Sequence, residues 1–272
     1  MKNFSISPIH ILSSVWCNWS LTITLIKREV TGRYRGSILG ILWSFLNPLF
    51  MLAVYTFFFS VVFKARWAGG SESKTEFALV LFAGLIVFNL FAECVNRAPS
   101  LVLSNVNFVK KVVFPLEVLP WVVLGSALLH MIISLGVWLL FYIVFFGIPH
   151  VSIFYLPIVI LPLLILTLGI SWFLSSLGVY LRDLSQVIGT VTTVLMFMSP
   201  VFYPVANLPE KYRMFVLISP LTLSVEQARD VMIFGKPINW TAWLPYLFVS
   251  MTIAWLGFAW FQKTRKGFAD VV

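Results

Sequence analysis

Charge is what this chain has least of: Asp, Glu, Lys and Arg together make up 11% of its 272 residues. Soluble domains carry about 25% charged residues, so that class is excluded. Cysteine is nearly absent as well. Cys17 and Cys94 stand alone, in neither a metal-ligand spacing nor a disulfide framework, and read as free thiols. No Walker A pattern occurs, because the Gly235-Lys236 pair runs into Pro237 and lacks the upstream glycine, so ATP is not expected to bind through a P-loop of this chain. His-Glu-x-x-His and Gly-x-Ser-x-Gly are missing too, carboxylates do not cluster within one segment, and His10, His130 and His150 lie far apart. Little supports an enzyme or a resident metal. The first thirty residues lack a short apolar core followed by a small-residue cleavage site, so a removable signal peptide is not expected.

What fills the chain instead is apolar: 60% hydrophobic residues, 17% aromatic. That composition belongs to an all-α integral membrane protein of a single domain, residues 1–272. The formal charge of +9 sits in short connections between apolar runs, the positive-inside signature rather than that of a nucleic-acid binder. Charge stops after Arg35 and resumes at Lys64, which leaves more than enough apolar chain to cross roughly 30 Å of hydrocarbon. Six spans are expected, at about 38–63, 77–93, 116–146, 153–180, 187–203 and 243–261, within a bundle of residues 36–262. An even number puts both termini on one side. Roughly twelve of the 19 Lys and Arg fall on that side, which the positive-inside bias makes cytoplasmic, and the tail 263–272 joins it.

Leu12, Trp16, Trp19, Ile23 and Ile26 recur at helical spacing, so residues 1–35 are expected to hold an amphipathic helix lying in the cytoplasmic interface. It serves either as an anchor or as a lever on the first span. Between spans five and six, Pro200, Pro204, Pro209, Pro220 and Pro237 cut the chain into pieces too short to cross, one of them at 214–223. Residues 204–238 then form an external hairpin of short re-entrant helices lining the mouth of a pathway, or a compact external loop.

Within the spans, no ionisable residue stands at mid-depth as an ion-driven carrier would need, so the energy for transport must come from a partner. Glu93 and Arg97, in the favourable Glu-before-Arg order, read as an interfacial pair. His130 is a proton relay or, more simply, a neutral histidine bonded to a neighbouring helix. Two cytoplasmic connections suit a partner's groove. One carries Asn107, Phe108, Lys110 and Lys111 and reads as a coupling helix or a basic anchor. The other carries Arg182 and Asp183, for which helix capping, with Gln186 three residues on, is an alternative role. The rings of Tyr55, Phe59, Phe197, Phe202 and Tyr203 either stack on sugar faces in a conduit or face lipid and helix neighbours.

Three blocks carry a resemblance. They are Arg33-Tyr34-Arg35-Gly36-Ser37 through Leu42-Trp43 to Pro48; Lys110-Lys111-Val112 with Phe114-Pro115, Glu117 and Pro120; and Arg182-Asp183-Leu184 followed by Ser199-Pro200-Val201-Phe202-Tyr203-Pro204. In this order the chain resembles the permease subunits of type-2 ABC exporters that move bacterial cell-surface polysaccharides: O-antigen, capsule and teichoic acid, with the O-antigen permeases nearest. Ser219-Pro220 departs from the Asn-Pro that the family often shows in the hairpin. The resemblance implies two copies forming a channel in the bacterial inner membrane. Two ATP-binding subunits would carry ATP and Mg, touching the loop around Asn107 and the amino-terminal helix. The cargo it implies is a glycan on an undecaprenyl diphosphate, with Arg33 and Arg35 as candidates for the diphosphate; positive-inside anchoring alone would also account for them. The competing classes are a drug or other lipid exporter of the same fold and a membrane-embedded glycosyltransferase or polymerase, whose catalytic carboxylates would need larger aqueous loops than these.

Overall fold

The protein is described by a computed structural model covering residues 6–33, 35–58, 74–110 and 114–271. Regular structure among these residues is helical throughout. In chain order the α-helices are α1 (Ile9–Cys17), α2 (Trp19–Arg33), α3 (Trp43–Tyr55), α4 (Lys74–Arg97), α5 (Val106–Val109), α6 (Leu119–Phe146) and α7 (Leu156–Tyr180). They continue with α8 (Leu184–Met198), α9 (Glu210–Ile218), α10 (Pro220–Met232), α11 (Trp240–Thr264) and α12 (Phe268–Val271). Four segments are long and apolar enough to cross a membrane: Thr75–Ser100, Leu116–Phe146, Val151–Tyr180 and Trp240–Val271. The bent pair α1 and α2 makes a fifth candidate if counted as one span, and Trp43–Phe58 and Leu184–Met198 are apolar but shorter. The end of the expected first span, 59–63, lies outside the described residues.

Helix α4 is the centre of the bundle. In its most apolar stretch 83% of residues are buried, against 22% to 50% in the other three long helices. A helix hydrophobic all round belongs inside, and neighbours surround this one: α6, α7, α8 and α10 all pack on it. The Trp138 indole of α6 donates to the Leu79 carbonyl of α4 at 3.0 Å, and the Trp243 indole of α11 donates to the Ile158 carbonyl at 2.9 Å, so these large rings bring no unpaired donor into the core.

Helices α7 and α11 approach until their backbones touch. A Cβ on Gly169 would stand 2.5 Å from the Ala254 Cα, and one on Gly257 would meet the Gly169 carbonyl. Small residues at such a crossing let dispersion contacts form between backbones where lipid offers no hydrophobic drive. Gly178 does the same against the Pro99 carbonyl, and Gly125 of α6 admits Ile26 of α2.

Four expectations change in detail. The amino-terminal amphipathic segment is two helices bent by 74°, broken at Asn18, not one. Of its expected apolar stripe Leu12, Trp16 and Trp19 are exposed, but Ile23 and Ile26 are half-buried, Ile26 over Gly125 of α6, and Thr22, Leu25 and Val30 are buried, Leu25 against Val118 and Val122. The piece at 214–223 is not one helix, because Pro220 starts α10 and drives Ser219 into the extended region, ψ 127°. Asp183 does not cap α8 with its side chain: its backbone is helical at φ −75°, ψ −6°, whereas a capping residue needs extended dihedrals to turn its carboxylate onto the next turn. Finally, residues 263–271, expected only as a charged tail, pack back on the bundle. Arg265 pairs with Glu117 and donates to the Phe114 carbonyl at 2.7 Å, and Phe268 is fully buried beside Phe261.

The α7–α11 crossing makes a direct test. Gly169→Leu should cost about 3 kcal/mol or more by overpacking a backbone contact, while Gly136→Ala, which meets nothing within 4 Å, should leave stability unchanged or slightly raised. Thermal unfolding of the detergent-solubilised protein, followed by size-exclusion, measures both.

Candidate functional site

At one end of the bundle the last turn of α2 lies against the last turns of α4, and both helices carry charge at the same spacing. Glu29 and Arg33 are four apart on α2; Glu93 and Arg97 are four apart on α4. The helices meet in opposite directions, so each acid faces a base: Arg33 Nη2 is 2.6 Å from Glu93 Oε1, and Arg97 pairs with Glu29. Glu93 also has Arg97 Nη1 at 3.5 Å, the weaker pair being the one legible from sequence alone. His130 of α6 completes the cluster, its Nδ1 3.0 Å from Glu93 Oε2 and 3.0 Å from Arg33 Nη1. Its partner is thus a carboxylate on a neighbouring helix. The Glu93 and His130 side chains are 17% and 15% exposed, while Arg97, Glu29 and Arg33 are half-buried around them, so Glu93 is the member whose charge would be costly uncompensated.

A cavity of about 290 Å³ opens beside the cluster, walled by α3, α4 and α6. Its lining follows helix periodicity on two faces. Ser44, Asn47, Pro48, Met51 and Tyr55 occupy one stripe of α3, and Phe82, Ile86, Asn89 and Glu93 one stripe of α4, with His130 and Ser134 on α6 and Arg33 at the end of α2. Of the sequence candidates, Arg33 and Tyr55 are in this cavity. Arg35 lies two residues beyond, exposed, with its backbone N–H on the Gly32 carbonyl at 3.3 Å.

The other candidates are spread over the molecule. Phe197 is exposed and stacks on Phe202 with centroids 5.6 Å apart. The Tyr203 hydroxyl donates to the Met198 carbonyl at 3.0 Å, closing the turn after α8. Phe59 lies outside the described residues. In the first connection Phe108 stacks face to face on Phe114 at 4.2 Å with Arg28 over its ring at 5.4 Å, while Asn107 and Lys110 are exposed; Lys111 lies outside the described residues. Arg28 thereby links α2 to that connection. Arg182 and Asp183 are exposed on the turn between α7 and α8.

One residue escaped the sequence reading altogether. Arg229 of α10, which no motif singles out, is 2% exposed. Its Nε donates to the Val80 carbonyl of α4 at 2.9 Å, and its Nη1 and Nη2 donate to the carbonyls of Pro200 and Val201. Gly84 makes the room, since a Cβ there would stand 2.9 Å from the guanidinium carbon. Arginine's planar fork suits three carbonyls held by three segments, so Arg229 ties α10 to α4 and to the break after α8. No spacing rule flags it, because its partners are backbone atoms far away in sequence.

Residues 20–233 match the model of a family described as ABC-2 type transporter. The chain is 26% identical over 97% of its length to the O-antigen export system permease protein RfbA of Myxococcus xanthus, of which it covers 100%. It is 25% identical over 93% of its length to the protein of the same name from Klebsiella pneumoniae, covering 95% of that chain. The polysialic acid transport protein KpsM of Escherichia coli is 26% identical over 78% of this chain and 80% of its own.

The Glu93 cluster predicts a measurable coupling. Glu93→Gln leaves Arg33 and His130 without their shared carboxylate and should lower stability by about 1–3 kcal/mol, whereas Arg33→Gln with Glu93→Gln should cost less than the two single changes added together. A double-mutant cycle on the melting of the solubilised protein gives the difference; simple additivity would mean that the two side chains do not act as a pair.

Proposed function

The chain belongs to the ABC-2 type transporter family, and from that premise we propose that it is the membrane-spanning permease subunit of an ATP-driven exporter of undecaprenyl diphosphate-linked polysaccharide, with O-antigen as the cargo. The observation that carries this reading is end-to-end similarity: the relative named for O-antigen export aligns over 97% of this chain and 100% of its own, against 78% and 80% for the polysialic acid protein.

In this reading the four long apolar helices are joined by Trp43–Phe58 and Leu184–Met198 to make six spans of the bacterial inner membrane, with both termini cytoplasmic. Helices α9 and α10 are the re-entrant hairpin at the outer mouth. Two copies enclose the conduit, with Tyr55, Phe59, Phe197, Phe202 and Tyr203 along it. Two ATPase subunits, holding ATP and Mg, bind against Asn107, Phe108, Lys110 and Lys111 and against Arg182 and Asp183. The Phe108 stack on Phe114 and the Arg28 contact support the first of these surfaces, since a push there reaches both α2 and the start of α6 through packed rings. Hydrolysis is assigned to the partner, and this chain supplies the path.

Arg33 and Arg35 receive the diphosphate. Arg33 is the better placed of the two, because it lines the cavity and its guanidinium already bonds an oxyanion, the Glu93 carboxylate, at 2.6 Å.

Mass spectrometry of the complex gently extracted from native membranes tests the assignment: a stoichiometric nucleotide-binding chain with a diphosphate-linked glycan is expected, and a complex without any nucleotide-binding chain would overturn it. The bound glycan distinguishes O-antigen from capsule. Replacing Arg33 and Arg35 together by Gln should lower surface polysaccharide about tenfold while insertion and co-purification of the partner persist; full export would remove both residues from the diphosphate site.

A further inference from the structure

From Phe77 to Val95 the central helix α4 is sealed by its neighbours, and one residue in that stretch is exposed: Asn89. Its side chain opens into the cavity between α3, α4 and α6, and Asn47 lines the opposite wall. Neither carboxamide hydrogen-bonds to another group among the described residues. Both are exposed to the cavity, so their donors and acceptors converge on whatever fills it.

We propose that this cavity is a sugar subsite, in which Asn47 and Asn89 hydrogen-bond the hydroxyls of the single ring that is joined directly to the diphosphate. The proposal deepens the export reading and rests on it. Its chemistry follows from the two amides. Each carboxamide offers two donors and a carbonyl acceptor and carries no charge, which complements hydroxyls that both give and accept protons. A phosphate would be served by cations and donors alone, and an isoprenyl tail by neither.

Size and order along the helix narrow the ligand further. About 290 Å³ lies at the low end of the roughly 300–1,000 Å³ of small-molecule pockets, enough for one ring and not for a chain of them. Asn89 and Glu93 are four residues apart, about 6 Å along α4, and Arg33 sits on Glu93. A phosphate at Arg33 therefore puts the next covalently joined group, the first sugar, level with Asn89. Met51 and Tyr55, further along the α3 stripe, present apolar surface to the ring's C–H face. Recognition by the permease then reads the part of the cargo that every chain shares whatever its length, and leaves the remaining repeats to slide past.

Equilibrium binding to the full chain in lipid nanodiscs tests this, using undecaprenyl diphosphate bare, carrying one hexose, and carrying one N-acetylhexosamine. At least one glycosylated lipid should bind about tenfold tighter than the bare diphosphate, because a site built to pair hydroxyls loses those bonds when the sugar is missing. Asn47→Ala with Asn89→Ala should bring the lipids within about twofold of one another with bare diphosphate binding kept, while Arg33→Gln should weaken all of them. Equal binding of the three lipids by the unmodified chain, or a preference that survives the double replacement, overturns the sugar subsite and leaves the diphosphate reading standing. Failure of all three to bind overturns both. The comparison among lipids on the unmodified chain decides the matter even if the double variant does not fold.

Discussion

The antiparallel meeting of two Glu-x-x-x-Arg turns, Glu29 with Arg97 and Arg33 with Glu93, is the constraint on which this end of the molecule depends. Alongside it, α2 packs on α6, with Leu25 and Val30 buried, Leu25 against Val118 and Val122 and Ile26 over Gly125, and Arg28 over the Phe108 ring. Helix α2 is otherwise polar enough to leave for the aqueous interface. Pairing acid with base in both positions lets four charges lie against an apolar bundle with no net charge among them, and the geometry works in one register only. A slip of one turn would set Glu29 on Glu93 and Arg33 level with Asn89, or, in the other direction, Arg33 on Arg97 and Glu29 past the end of α4. The zipper therefore fixes not only that α2 docks but where, and it is this that brings Arg33 to the cavity.

Two further guanidinium groups act in the same manner elsewhere. Arg229 gathers carbonyls from α4 and from the break after α8, and Arg265 holds Glu117 and the Phe114 carbonyl. Each sits among buried apolar residues of its own segment, Val225, Ala228 and Met232 around Arg229 and Phe261 and Phe268 around Arg265, and ties that segment to another. Because α4 takes contacts from α2 and from α10 near its two ends, a shift of α4 is felt at both. Close-packed interiors transmit such shifts with little loss, which gives a physical route between the connection around Phe108 and the segment carrying Phe202 and Tyr203.

Much of the architecture was legible in the sequence because it rests on periodic apolarity, which is local: the four long helices, the exposure of Leu12, Trp16 and Trp19, and the division of the chain at Pro209 and Pro220 all follow from runs of residue type. What was not legible depended on contacts distant in sequence. Glu93 and Arg97 look like a pair because they are four apart, yet the closer partner of Glu93 is sixty residues upstream. Arg229 looks like a solvated loop charge because nothing local distinguishes a guanidinium that will find backbone carbonyls. Asn47 and Asn89 did leave a signal, polar residues on the stripes of apolar helices shared with Ser44 and Glu93, but such a stripe reads equally as a helix–helix seam until three helices are set around a space. The break at Asn18 and the uncapped Asp183 are failures of another kind, where a few degrees of backbone decide and composition is silent.

The cluster's neutrality bears on what kind of binding site it makes. Were Arg33, Arg97 and His130 grouped without carboxylates, a diphosphate would be drawn in strongly and released slowly, since charges in a poorly solvated site interact far more than in water. Glu93 occupies the position an incoming oxyanion would take on Arg33, so an anion gains only the difference between its own pairing and the one it displaces. The released Glu93 still has Arg97 at 3.5 Å and His130 at 3.0 Å, so it is not left as an uncompensated charge. An exchange of partners between nearly equal states is shallow in both directions. On the proposed export reading a conduit requires that of its entrance, where binding must be favourable enough to admit the cargo and weak enough to pass it on.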